Sequence, residues 1–207
     1  MSYTLAQQLF GTPGTMARCV LLLFITLLLA AAASDFSRQR IPNRLVWAGT
    51  ALAILFHAVL PTGDGFISAL PGGLGLIGSL TGFGVTLAVL LPLYFLRLFG
   101  AGDVKLLAMI GAFVGVPEIA WVVLFSALAG GLLVLGIAMH RRIVPAVLKN
   151  LKMILWHSLA GTGEAGNVLL QSTYPSGRPV PYGVAIAAGT VVFVLFRAGQ
   201  AGLLTFN

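Results

Sequence analysis

The chain has 207 residues, of which 58% are hydrophobic and only 8% charged, with twelve Lys or Arg against five Asp or Glu. Soluble domains carry about a quarter charged residues, so a mean hydropathy of +1.01 excludes an ordinary water-soluble fold and points to helices buried in lipid. The net charge of +7 falls in short connections between apolar runs, where membrane topology and anionic headgroups account for it without nucleic acid.

Six apolar stretches follow one another, at about 17–33, 45–60, 73–96, 103–116, 119–139 and 181–197. They predict an all-α, polytopic integral membrane protein of about six transmembrane helices, in a single domain over 1–207. The first stretch holds the single cysteine, Cys19, which excludes an internal disulfide and reads as a small packing residue. Its end, Ala31-Ala32-Ala33-Ser34, imitates a signal-peptide cleavage site. Cleavage there would send Arg38, Arg40 and Arg44 across the membrane, so a retained first helix is expected. The second and fourth stretches fall below the roughly 17 residues that a span requires, which predicts tilted, extended or broken helices. After the fifth, Val147, Leu148, Leu151, Ile154, Leu155 and Leu159 repeat at helical spacing opposite Lys149, Asn150 and Lys152. That pattern, with Trp156 as an anchor, predicts an amphipathic helix on the cytoplasmic membrane surface. Residues 161–180, rich in Gly and Pro, read as a loop. No internal repeat and no separate soluble domain is visible.

If the spans alternate, Arg38, Arg40, Arg44, Arg97, Lys105, Arg141, Arg142, Lys149, Lys152 and Arg178 all fall on one side. Arg18 and Arg197, with Asp64 and Glu118, fall on the other. The positive-inside rule makes the first side cytoplasmic and the N-terminus external. Asp35, at the end of the first stretch, and Asp103, at the start of the fourth, then lie at the same cytoplasmic depth. Ionisable groups at membrane depth cost about 2.5–3.5 kcal/mol on insertion scales and mark function by default.

Two carboxylates held a few ångströms apart share a proton, so that one acts as base toward water and the other as acid toward a carbonyl oxygen. That arrangement hydrolyses a peptide bond without a covalent intermediate. Gly100 and Gly102 allow non-helical backbone just before the fourth stretch. Asp103 would then face a helix N-terminus and Asp35 a C-terminus, which favours charge on Asp103. Lys105 lies about 200° round the helix from Asp103 and is expected to snorkel to the headgroups. His57, His140 and His157 lack metal-ligand spacing, and Ser126 and Ser158 lack a His/Asp constellation, so neither a metal nor a cofactor is expected.

The segments Asp35-Phe36-Ser37-Arg38-Gln39-Arg40-Ile41-Pro42-Asn43 and Gly100-Ala101-Gly102-Asp103-Val104-Lys105-Leu106 resemble the two motifs of the type IV prepilin peptidases, GxGD-class membrane aspartic proteases. Pro181-Tyr182-Gly183, before the last apolar stretch, is also similar. The resemblance covers roughly residues 17–197. It implies that Asp35 and Asp103 are the catalytic pair. It also implies that Pro42, Asn43, Gly100, Gly102, Lys105, Pro181, Tyr182 and Gly183 shape the site or contact substrate. The implied reaction removes the basic leader of a prepilin, after a glycine, at the cytoplasmic face of the inner membrane. Longer members carry a cytoplasmic CxxC zinc insertion associated with N-methylation. This chain lacks the insertion and is similar to the short form of tight-adherence (Flp) pilus systems, without methyltransferase activity. Three alternatives stay open on sequence: a GxGD protease of other leader or signal peptides, a small proton-coupled transporter, and a non-catalytic assembly subunit. A transporter would more often hold its carboxylates near the midplane and show repeat symmetry.

Overall fold

A computed structural model describes residues 13–96, 99–140, 152 and 181–203. The chain divides into two compact units, residues 1–130 with 181–207, and residues 131–180. The second is described only for the last turns of one helix and for Lys152. The amphipathic helix expected over 147–159 and the loop over 161–180 lie outside the described residues, apart from Lys152, which is helical.

The described residues form six helices: α1 (Pro13–Arg38), α2 (Asn43–Val59), α3 (Gly75–Phe95), α4 (Ala101–Val114), α5 (Val116–His140) and α6 (Tyr182–Gln200). Each coincides with one predicted apolar stretch. Among them α1, α3, α5 and α6 are long and apolar enough to cross a membrane. The two stretches that were too short by composition give the two short helices, of 17 and 14 residues. At 1.5 Å per residue α4 is about 21 Å long, less than the roughly 30 Å of a bilayer's hydrocarbon.

Burial explains how α4 tolerates that length. Val104 and every residue from Leu106 to Val114 are buried, as expected of a helix that is apolar all round. Helices α2, α3 and α6 pack against it. Gly49 of α2 meets the Met109 side chain, and Gly82 of α3 lies so close that a Cβ would overlap the Gly111 carbonyl. Phe113 packs against Phe24 of α1, with ring centroids 4.7 Å apart and planes tilted by 41°, and both rings meet Phe66. Phe66 belongs to the 60–74 connection, folded on itself by Gly63 N–H to Gly73 O (2.9 Å) and Asp64 N–H to Leu70 O (3.2 Å).

The last carbonyls of a helix have no partner within it. In α4 the neighbours supply them. Ser79 Oγ donates to Ala112 O at 2.9 Å, and His57 Nε2 donates to Phe113 O at 2.8 Å. His57 Nδ1 accepts Leu74 N–H at 3.1 Å, so both ring nitrogens are used and the ring is the neutral Nε2–H tautomer. A histidine that reads in sequence as an isolated polar residue in an apolar run is thus a clamp between α2, α4 and the 60–74 connection. His57→Ala should lower stability by about 3 kcal/mol, since it leaves one buried acceptor and one donor unmatched. Denaturation of the purified protein in detergent measures this, and His57→Leu should recover little of the loss.

Candidate active site

Asp35 occupies the last turn of α1. The helix stops because Gln39 adopts a left-handed conformation, φ 51°, while its N–H still bonds Asp35 O at 2.8 Å. Ser34 Oγ donates to Arg40 O at 2.9 Å and holds the reversal. Pro42, with φ fixed at −64°, is the N-cap of α2, and Asn43 is its first helical residue. The turn leaves Arg38, Arg40 and Arg44 exposed, while Asp35 is only 7% exposed.

Asp103 is the third residue of α4, after the N-cap Gly100. Its carboxylate accepts the backbone N–H of Gly100, the return half of a capping box. Gly102 is helical, so the non-helical backbone that the two glycines allow does not extend to it. Only Gly100 remains extended, with ψ 149°. Gly102 lies against Ile41, and a Cβ on it would come no nearer than 3.7 Å to that side chain. Lys105 Nζ donates to Asn43 Oδ1 at 3.3 Å. The expected snorkelling lysine therefore ties the start of α4 to the start of α2, and the two sequence motifs pack on one another. Asp35 and Asp103 are near enough for their charges to act on each other.

The third element of the site is α6. Pro181 is its N-cap and the ring of Tyr182 covers Gly130 at 3.3 Å from the position of a Cβ. The backbone N–H of Gly183 donates to Asp35 Oδ2 at 2.7 Å. Sequence reasoning placed charge on Asp103 because Asp35 ends a helix. The structure brings the N-terminus of a different helix to Asp35, so each carboxylate faces a helix N-terminus and the expected asymmetry loses its basis. Nothing in the residue pattern signals that long-range bond. Among the described basic residues, Arg38, Arg40, Arg44 and Lys105 lie at the Asp35 end. Arg18 lies toward the opposite end of α1, and Arg197 pairs with Glu118 near the far end of α6. Arg97, Arg141, Arg142, Lys149 and Arg178 lie outside the described residues. Among the described residues no three His, Cys, Asp or Glu side chains are grouped to hold a metal.

A family model described as the type IV leader peptidase family matches residues 22–135, more than half of the chain. The match takes in Asp35, Asp103 and their flanking segments and ends before α6. No curated protein and no solved structure matches the chain.

The two glycines before Asp103 differ in a way that melting temperature reads. Gly102→Ala should be tolerated or stabilise by up to about 1 kcal/mol, because alanine is the better helix former and there is room for it. Gly100→Ala should lower the melting temperature, since alanine is a poorer N-cap than glycine and its methyl would push aside Asp103 Oδ2, which would lie 2.9 Å away.

Proposed function

The chain belongs to the type IV leader peptidase family, and from that premise we propose that it is an aspartic endopeptidase that removes the leader of a prepilin, with Asp35 and Asp103 as its catalytic pair. The observation that carries this reading is the approach of two carboxylates, 68 positions apart in sequence (103 − 35 = 68), at one end of one helical bundle. Their charges interact, and each is held by the N–H of a helix start.

The chemistry follows from a shared proton. The charged carboxylate takes a proton from a water molecule, whose oxygen attacks the scissile carbonyl, while the protonated partner gives its proton to the carbonyl oxygen. Collapse of the tetrahedral intermediate breaks the C–N bond, and a proton returns to the leaving amine. Both carboxyl groups are then ready to exchange one proton again. No metal or cofactor takes part in these steps. A peptide bond inside a helix is shielded by its own hydrogen bonds, so the substrate unwinds locally beside the glycine that precedes the cut.

We place the dyad at the cytoplasmic face of the inner membrane, with the N-terminus external. Support comes from the exposed Arg38, Arg40, Arg44 and Lys105 around the site, suited to anionic headgroups. The carboxylates sit at helix ends, which favours this reading over a proton-coupled transporter with midplane carboxylates. The chain carries one cysteine and so no paired CxxC zinc motif, which supports assignment to the short, Flp-type enzymes that cleave without N-methylating. The proposed peptidase is a single functional domain over 1–207.

Coexpression with a tagged prepilin whose basic leader ends in glycine tests the reading by the size of the pilin. Asp35→Asn and Asp103→Asn should each lower conversion by at least about 10²-fold, the usual worth of a positioned acid or base, while protein level and topology persist. Conversion at the wild-type rate by either variant overturns the dyad.

A further inference from the structure

Asp35 has a partner that the family match does not reach, because the match ends at residue 135. We propose that Gly183 is a positioning residue for Asp35: its backbone N–H and its missing side chain together aim the carboxylate at Asp103. This rests on the aspartic peptidase reading above and deepens it.

Two independent features of residue 183 meet at one carboxyl group. The first is the hydrogen bond, Gly183 N–H to Asp35 Oδ2 at 2.7 Å, at a site where Asp35 is 7% exposed and Gly183 is buried. The donor is the second residue of α6, whose N–H has no acceptor within its own helix. Bonds from such a donor to a carboxylate are charge-assisted and about twice as strong as neutral ones. The second feature is space. A Cβ at position 183 would lie 2.8 Å from Asp35 Oδ2, 2.9 Å from Cγ and 3.0 Å from Cβ. The obstacle is the whole carboxyl group of a buried side chain, so rotation of one terminal atom does not relieve it. Any other residue at 183 displaces Asp35.

The donor is on a fixed platform. Lower down α6, Gly189 rests on the backbone of Phe125 and Ser126, where a Cβ would come within 2.6 Å. Phe193 meets Phe125 with ring centroids 5.5 Å apart, and Arg197 pairs with Glu118. With the packing of α6 along α1, these contacts to α5 fix the N–H and the carboxylate relative to each other by more than their own bond. Gly183 touches neither substrate nor water in this scheme, and it acts through Asp35.

The test compares wild type, Gly183→Ala and Gly189→Ala, each purified and assayed across concentrations of a tagged prepilin and corrected for folded protein. Gly183→Ala should cut the rate about ten- to a hundred-fold, the equivalent of one charge-assisted hydrogen bond. The loss should fall on kcat, with KM for the prepilin little changed, because a displaced acid weakens the chemical step and not the binding of the leader. Gly189→Ala should lower the melting temperature while the surviving enzyme keeps the wild-type kcat and KM, which is the signature of a purely structural glycine. Should Gly183→Ala fail to accumulate, glycolate in place of Gly183 removes the N–H without adding a side chain. A lowered kcat at unchanged KM for that ester supports the assignment. A wild-type kcat in Gly183→Ala, or in the ester, overturns it and leaves the peptidase reading standing. A wild-type protein inert toward prepilins overturns the peptidase reading, and this inference with it.

Discussion

A helix of 14 residues whose C-terminal part is buried within a bundle has carbonyls there that water does not reach freely, so they need protein partners. In lipid the apolar surface of a helix gains little from burial against another helix, since acyl chains are equally apolar. Association rests instead on close backbone approach and on hydrogen bonds. The bundle meets both requirements at α4. Glycines at 49, 82 and 111 let α2 and α3 close on it, and Ser79 and His57 occupy its terminal carbonyls. The C-terminal end of α4 is thus fixed by chemistry that has nothing to do with the site, and its N-terminal end, with Asp103, is held by the same rigid body.

The other end of α4 solves the same problem with ionisable groups. Asp103 returns to cap Gly100, and Lys105 reaches Asn43. Asp35 supplies the acceptor that the start of α6 lacks. The carboxylates therefore satisfy orphan N–H groups that would otherwise be costly at membrane depth, and their positions follow from that satisfaction. Helices α1, α4 and α6 converge on the pair because each contributes either an acid or a donor to it. Tertiary capping and the proposed catalysis draw on the same atoms, which is why a structural explanation of Asp35 as a cap and a chemical explanation of it as a base are not rivals.

Much of this was legible in the chain. The six apolar stretches locate all six described helices, because runs of that composition have no other stable place in a membrane protein, and the two short stretches are the two short helices. That Asp35 and Asp103 share one end was expected from alternating the six apolar stretches so that most basic residues fall on one side. Side-chain partners were not legible. His57 is a single polar residue in an apolar run, and nothing in its neighbours says that Phe113, 56 positions away, accepts its proton. The helical state of Gly102 was hidden for another reason. Glycine permits irregular backbone but does not require it, and here, with Asp103 at the capping-box position relative to Gly100, the helix starts at Ala101, two residues before the apolar stretch begins.

The three glycines around the dyad therefore do different work. Gly102 leaves room for a methyl, Gly100 has its one close contact with a flexible carboxylate oxygen, and Gly183 is hemmed in by a whole buried side chain. Of the three, the last makes a hydrogen bond to an acid of the pair from a distant part of the chain, 148 positions away. Until α6 docks, Asp35 lacks its donor and the start of α6 lacks its acceptor, so the pair of carboxylates reaches its final geometry only when the last helix is in place. Under the peptidase reading, an incompletely assembled chain would hold both acids yet lack the arrangement that lets them divide one proton between them.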